Sequence, residues 1–230
     1  MIDWHCHVLP GIDDGSRDTK ESLELLRMQR EQGADTVIAT PHFLANDSTV
    51  DSFLERRERA FDTLRPHLPK DAPKILLGAE VKYYSGIGRL PDLMKLCIGG
   101  TGLLLLEMPF AKWSEYEVRE LEDLAARGGI RLILAHIERY LPFEGRDVWR
   151  RISESGILTQ VNASFFTSVT TRHKALSMLK DGQIHFIGSD CHNVSSRPPK
   201  LDGAYGYIAR KLGADYVDQM VGYGHAVLEQ

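Results

Sequence analysis

Two histidines near the start of the chain stand at a spacing that suits metal binding. His5 and His7 end a short apolar run, residues 2–7, that is typical of a β-strand. Alternate side chains of a strand point to the same side, so we expect the two imidazoles to face together. Asp14 follows in a turn between Gly11 and Gly15. A carboxylate beside two imidazoles is the beginning of a site for a divalent cation.

The elements that must position these residues are short apolar runs that alternate with amphipathic segments. The predicted strands are 1–4, 35–40, 74–80, 102–107, 131–136, 157–162 and 185–190. Capping residues and apolar periodicity predict helices that begin at Asp18 and at Ser114, and others over 49–64, 171–179 and 201–212. Continuous apolar runs are typical of buried parallel strands. The pattern predicts an α/β fold, either a barrel related to the eight-stranded parallel type or an open doubly wound sheet.

Residue types that bind metals stand at the carboxyl ends of these strands or in the turns that follow, at every strand except the sixth. With Asp14 they form a set of nine: His5, His7, Asp14, His42, Glu80, Glu107, His136, Asp190 and His192. The carboxyl ends of the strands in a parallel barrel open on one face, where active sites are built. A single histidine at a strand end is more often structural, but the joint placement favours a shared metal site.

Nine ligands are too many for one ion and suit two or three. Histidine and carboxylate ligands without thiolate favour Mn²⁺, Fe²⁺ or Zn²⁺. Two ions about 3.5–4 Å apart can hold a bridging hydroxide and bind both oxygens of an in-line displacement at phosphorus. The sequence therefore predicts hydrolysis of a phosphoester by a metal-bridging hydroxide.

Composition excludes several other classes. The 230 residues are 43% hydrophobic, enough for one core, and we expect a single domain over 1–230. A net charge of −4 gives no basic patch for nucleic acid. The longest apolar run is too short to insert in a membrane, and the N-terminal residues lack a basic region followed by an apolar run, so we expect neither a membrane span nor a signal peptide. Three widely spaced cysteines make no disulfide framework, so we expect a cytoplasmic protein.

One segment also matches a different phosphatase chemistry. Residues 191–197 fit the bare pattern Cys-x5-Arg, in which a thiolate attacks phosphorus. The loop has no glycine, and two prolines follow where such enzymes continue into a helix. Asp190 and His192 flank Cys191 at alternate positions, as His5 and His7 flank Cys6, so both cysteines should face away from the metal ligands as small core residues.

With these residues identified, the chain resembles the polymerase and histidinol phosphatase (PHP) superfamily. Within it, the chain is most similar to bacterial capsular-polysaccharide tyrosine phosphatases. The matching segments, which span nearly the whole chain, are 5–15, 39–42, 78–80, 106–107, 135–140 and 189–193. The segment 10–15 is the most specific of them, and Asp14 stands where many PHP members have a histidine.

The resemblance implies a distorted (βα)7 TIM-like barrel with three metal ions, usually Mn²⁺ or Fe and sometimes Zn²⁺. The implied ligand sets are His5, His7, Glu80 and Asp190; Glu80, Glu107 and His136; and Asp14, His42 and His192. Arg139 and Arg197 match arginines with which the family binds the substrate phosphate, and Arg is suited to bidentate phosphate contacts. Three aromatic residues are candidates either to line the entrance of the site for an aromatic ring or to pack at the rim of the barrel: Phe43, Tyr83 and Tyr84.

The function that the resemblance implies is a metal-dependent protein-tyrosine phosphatase. Its partner would be a phosphotyrosine-containing protein, namely a bacterial tyrosine kinase that controls capsule or exopolysaccharide synthesis. One alternative is a PHP phosphatase for a small metabolite such as histidinol phosphate. Another is a non-catalytic metal-binding PHP module, which the complete set of ligand types disfavours.

Overall fold

The computed structural model describes residues 1–229, and its strands fall where the apolar runs are. The strands are β1 (Ile2–Cys6), β2 (Thr36–Ala39), β3 (His42–Phe43), β4 (Lys74–Leu77), β5 (Glu80–Lys82), β6 (Leu103–Glu107), β7 (Arg131–Leu134), β8 (Leu158–Asn162) and β9 (Phe186–Gly188). The helices are α1 (Thr19–Glu31), α2 (Val50–Leu64), α3 (Glu115–Ala126), α4 (Arg146–Glu154), α5 (Ala163–Thr167), α6 (Arg172–Lys180), α7 (Leu201–Leu212) and α8 (Ala214–Leu228). Short 3-10 helices lie between them, at 65–67, 87–89, 93–96, 98–100 and 137–139.

Every strand pairs with its neighbours in the parallel direction. One sheet has the order β1-β2-β4 and the other has the order β3-β5-β6-β7-β8-β9. Only two residues of chain separate β2 from β3 and β4 from β5, so the two sheets continue into one another. The result is a curled parallel sheet that forms a half-barrel, and the predicted α/β class with a parallel sheet is confirmed.

Side-chain caps mark the beginning of some helices that the sequence predicts, whereas α6 and α7 were predicted without one. Asp18 accepts a hydrogen bond from Glu21 N at α1, and Ser114 forms a complete capping box with Glu117 at α3. The sequence analysis missed α4, α5 and α8, none of which has a side-chain cap. Helix α8 also contains two glycines, and a Cβ at Gly224 would lie 3.3 Å from side chains of β1. That glycine lowers helix propensity but lets α8 pack closely on the sheet.

The apolar core has two parts, and the smaller one lies inside the curl. Its members are Ile2, Trp4, Ile38, Ile98, Leu103, Leu105, Ile133, Ala135, Leu158, Phe186 and Val227. Trp4 stacks on Phe186 with ring centroids 3.7 Å apart. The larger part lies between the sheet and the surrounding helices. Among the described residues, no helix combines the length and the apolar character that a membrane span requires.

Candidate metal centre

A buried glutamate, Glu80, lies at the centre of the predicted ligand set. Glu80 is the first residue of β5 and is 1% exposed. Carboxylate oxygen Oε2 lies 3.2 Å from His5 Nε2, 3.4 Å from His7 Nε2 and 2.9 Å from His42 Nδ1. Oxygen Oε1 lies 2.8 Å from His136 Nε2. Four imidazoles from different parts of the chain therefore meet at one carboxyl group.

The other predicted ligands extend this cluster to two sides. Glu107 Oε1 lies 3.4 Å from His136 Nε2. On the other side, Asp14 Oδ1 lies 3.3 Å from His42 Nε2 and 3.5 Å from His192 Nε2. With Asp190, whose Oδ1 lies 3.6 Å from His7 Nε2, the nine side chains form one continuous network. Seven of them lie at the carboxyl ends of strands or in the loops that follow, whereas His42 and Glu80 begin the short strands β3 and β5.

Three groups of donor atoms within this network are compact enough to surround an ion. Within each group all the donor atoms lie within 4.8 Å of one another. The groups are His7, Asp14, His42 and His192; His5, His7 and Asp190; and His42, Glu80 and Glu107. They overlap the three ligand sets that the resemblance implies, although His7 and His42 each belong to two groups.

The tautomers of His5 and His7 follow from their neighbours. Gln160 Oε1 accepts a hydrogen bond from the backbone N–H of His136 at 2.7 Å, which identifies it as an oxygen. It lies 3.3 Å from His5 Nδ1, so that nitrogen must donate to it. His7 Nδ1 similarly lies 2.8 Å from the carboxylate of Asp13. Both histidines therefore carry a proton on Nδ1 and turn the Nε2 lone pair toward Glu80.

This arrangement fits divalent cations. The two Nε2 atoms of His5 and His7 are 3.2 Å apart, and facing lone pairs at that distance repel unless a cation or a second proton lies between them. Buried Glu80 Oε2 has no hydrogen-bond partner of good geometry. Burial raises the pKa of Glu80, but His5 and His136 hold it well below its usual range. Burial lowers the pKa of His192 to about 4, and the neutral imidazole is the form that binds a metal.

Asp190 joins the imidazoles to two arginines. Its Oδ1 lies 3.6 Å from both His7 Nε2 and His192 Nδ1. Its Oδ2 accepts a hydrogen bond from Arg139 and forms an ion pair with Arg197 Nη2 at 2.8 Å. Asp190 has a left-handed backbone with φ of 50°, a strained conformation that aspartate adopts more readily than most residues. Both predicted phosphate-binding arginines therefore lie beside the cluster, each more than one third exposed.

Comparison with known proteins decides the family. A family profile described as "Capsular polysaccharide synthesis, CpsB/CapC" matches residues 1–227. The chain belongs to the CpsB/CapC family. The tyrosine-protein phosphatase YwqE of Bacillus subtilis (strain 168) is 32% identical over 224 residues, which are 94% of this chain and 86% of that protein. CpsB of Streptococcus pneumoniae, also a tyrosine-protein phosphatase, is 29% identical over 231 residues, 93% of this chain and 92% of that protein.

A solved structure agrees with this assignment. The crystal structures of YwqE and CpsB are described as those of unique metal-dependent tyrosine phosphatases. The match has a TM-score of 0.85 at 26% identity and covers all of this chain and 94% of the other. The resemblance to capsular-polysaccharide tyrosine phosphatases inferred from the sequence is thus confirmed.

In this CpsB/CapC chain, the sixth predicted strand contributes hydrogen bonds rather than ligands. Gln160 on β8 binds His5 and His136 as described, and its amide donates to Asn162 Oδ1 at 3.1 Å. Asn162 Nδ2 in turn donates to Asp190 Oδ2 at 2.8 Å. Such contacts hold metal ligands in one orientation. Sequence reasoning missed both residues; their alternate positions at the end of a strand without ligands were the available signal.

Asp13 is a further residue that sequence reasoning left without a role. Its carboxylate accepts hydrogen bonds from the backbone N–H groups of Gly15 and His42, both at 3.0 Å, besides the contact with His7. Burial raises the pKa of Asp13, but the contact with His7 and the two backbone donors lower it to about 2. Its position next to Asp14 in the same turn was the only sequence signal.

The loop with the Cys-x5-Arg pattern cannot act as a thiolate phosphate loop. Cys191 is fully buried and pairs with Cys6 in an isolated parallel bridge. The backbone N–H groups of residues 195–197, which would bind phosphate in such a loop, all donate to Asn193 Oδ1 at 2.7–3.1 Å. Those donors are therefore already used within the loop.

The candidate entrance aromatics behave differently from one another. Phe43 is 1% exposed and packs edge-on against Phe53 of α2. Tyr83 is also buried, and its hydroxyl donates to Glu120 of α3. Both therefore pack at the rim, and Tyr84 is only partly buried against the larger core. The aromatic ring that does lie exposed beside the cluster is Phe110.

Proposed function

We propose that this chain is a metal-dependent protein-tyrosine phosphatase, which hydrolyses the phosphate monoester of phosphotyrosine. The observation that carries the proposal is the junction at Asp190, where a cluster of nine metal-binding side chains meets two arginines. A site that holds metal cations beside guanidinium groups is suited to bind a phosphoryl dianion. The activity of its relatives YwqE and CpsB supports the same reaction.

The nine clustered residues are the proposed ligands of two or three divalent ions. Mn²⁺ is the ion that we propose on the basis of the resemblance to the PHP superfamily, and Fe or Zn²⁺ suits the same donors. When bound, the ions supply an activated water and neutralise charge on the phosphoryl oxygens. Glu80 touches four imidazoles and would supply its carboxylate to the ions that they hold.

The remaining side chains have roles that follow from their contacts. Arg139 and Arg197 share Asp190 Oδ2 and present their other N–H groups for phosphate oxygens. Gln160 and Asp13 keep the Nε2 atoms of His5 and His7 free of protons. Together these residues bind and orient the phosphate without a covalent intermediate on the protein.

The fold proposed for this site is the distorted (βα)7 TIM-like barrel, as a single domain. Support comes from hydrogen bonds that join β1 to the segment after β9: Asp190 N donates to His5 O at 2.7 Å and His7 N to Cys191 O at 2.9 Å. The proposed partner is a bacterial tyrosine kinase that carries phosphotyrosine. The cytoplasm is the proposed compartment because the three cysteines are free thiols.

The test compares substrates and metal states in the same preparation. The chain is stripped with a chelator, then supplied with Mn²⁺, and assayed on a phosphotyrosine peptide and on histidinol phosphate. We expect the stripped chain to be inactive, and the Mn²⁺-loaded chain to have a kcat/KM at least a hundredfold higher for the peptide. A preference for histidinol phosphate would instead indicate a metabolite phosphatase, and full activity without metal would exclude the mechanism.

A further inference from the structure

One apolar side chain at the mouth of the metal centre is exposed and yet firmly held. Phe110 lies in the loop that follows β6, three residues after Glu107, and is 49% exposed. Its ring centroid is 5.7 Å from the ring of His136. The guanidinium carbon of Arg139 lies 5.7 Å from the same centroid. The phenyl ring thus stands between a proposed metal ligand and a proposed phosphate-binding residue.

Buried aromatic residues support the ring from behind. Phe110 stacks on Tyr140 with centroids 5.8 Å apart and planes at 24°, and Tyr140 is fully buried. Trp113 packs edge-on against Tyr140 at 5.1 Å. The loop backbone is fixed on both sides of the stack, because Met108 N donates to the Tyr140 hydroxyl at 2.9 Å and Trp113 Nε1 donates to Pro109 O at 3.1 Å. The outward face of Phe110 is therefore held in place for a partner.

The in-line geometry of the displacement at phosphorus indicates which group of the substrate would contact Phe110. In an in-line displacement the leaving oxygen departs opposite to the attacking water. A water activated at the buried ligands would direct the leaving group to the open side, where Arg139 and Phe110 are exposed. The leaving group of phosphotyrosine is an aromatic ring, and two such rings attract each other when offset-stacked or edge-to-face.

We propose that Phe110 packs against the aromatic ring of the substrate and so makes the site select aryl over alkyl phosphates. This rests on the proposed phosphatase function and adds a specificity-determining residue to it. The phosphate itself is bound without Phe110, by the metal-binding cluster and the arginines. The contribution of Phe110 therefore depends on the group to which the phosphate is attached.

The experiment measures kcat and KM of the full, Mn²⁺-loaded chain on two peptides that differ only in phosphotyrosine or phosphoserine. The variants are Phe110→Leu, which stays apolar but loses the ring, and Phe110→Tyr, which keeps it. Tyr223→Leu is the matched control, since Tyr223 is 44% exposed and stacks on Phe186 at the beginning of β9. Inorganic phosphate has no aromatic group, so its inhibition constant measures binding to Arg139 and the cluster alone.

We expect Phe110→Leu to lower kcat/KM for the phosphotyrosine peptide about tenfold, mainly through KM. Phosphoserine hydrolysis and phosphate inhibition should stay within about twofold of wild type, and Phe110→Tyr and Tyr223→Leu should resemble wild type. Equal losses on both peptides, or weaker phosphate inhibition, would show that Phe110 only supports Arg139 and would overturn the proposal. Unchanged kinetics of Phe110→Leu would overturn it too. If the wild type failed to hydrolyse phosphotyrosine, the proposed function itself would fall.

Discussion

Replacement of Asp190 by alanine is expected to lower kcat for phosphotyrosine hydrolysis about a thousandfold, or about 4 kcal/mol of transition-state stabilisation. Its carboxylate contacts imidazoles through Oδ1 and three donors through Oδ2. Burial raises the pKa of Asp190, but His5, His7 and Arg139 hold it far below the usual range, so the group is an anion at working pH. Alanine removes a proposed ligand and leaves both arginines without their common partner.

The measurement combines peptide kinetics with the metal content and the thermal unfolding of the same protein. Asp92→Ala is the matched control, because Asp92 also has a left-handed backbone, with φ of 61°, but lies in a surface turn away from the cluster. The control should keep wild-type activity. A folded Asp190→Ala protein with more than about a tenth of wild-type kcat would contradict the assigned role.

Replacement of Arg139 by lysine is expected to lower kcat/KM about a hundredfold, or about 2.7 kcal/mol, while metal binding stays intact. Lysine keeps the charge but loses the planar fork of donors that contacts Asp190 and that we propose to bind phosphate oxygens. Inhibition by inorganic phosphate should weaken in parallel, because the lost contacts are to the phosphoryl group itself. Arg139 is 37% exposed, so the substitution should cost little folding stability.

Metal content separates this prediction from that for Asp190. Arg139→Lys should retain the ions of the wild type, whereas Asp190→Ala should lose at least one. Arg27→Lys serves as the control, since Arg27 makes its ion pairs with Glu24 and Glu31 on the outer face of α1. Wild-type phosphate inhibition in Arg139→Lys would show that this arginine does not bind the phosphate.

The clustering of these side chains could be predicted because the position of a residue along a strand sets the direction of its side chain. Residues at the carboxyl ends of parallel strands must meet at one face, whatever their separation along the chain. His5 and His136 therefore come together although they are 131 positions apart in the chain. Glu80 ends the predicted apolar run 74–80. In the structure, Gly78 and Ala79 interrupt that run, so that Glu80 begins the short strand β5.

Features that depend on contacts between distant segments could not be predicted in this way. Gln160 and Asn162 are ordinary polar residues of a strand until β1 and β9 supply His5 and Asp190 as partners. Phe43, in β3, and Phe110, in the loop after β6, have the same side chain. The first is covered by Phe53 of α2, whereas the second stays exposed because the space behind it is filled by Tyr140.

The central claim is that the side chains around Glu80 hold several divalent ions, and elemental analysis tests it most directly. The full chain and its Glu80→Gln variant are loaded with Mn²⁺, freed of unbound metal and measured side by side for metal per folded protein. We expect two or three ions in the wild type and at most one in the variant, whose amide lacks the negative charge of the carboxylate. Fewer than one ion in the wild type, or equal content in the two proteins, would contradict it.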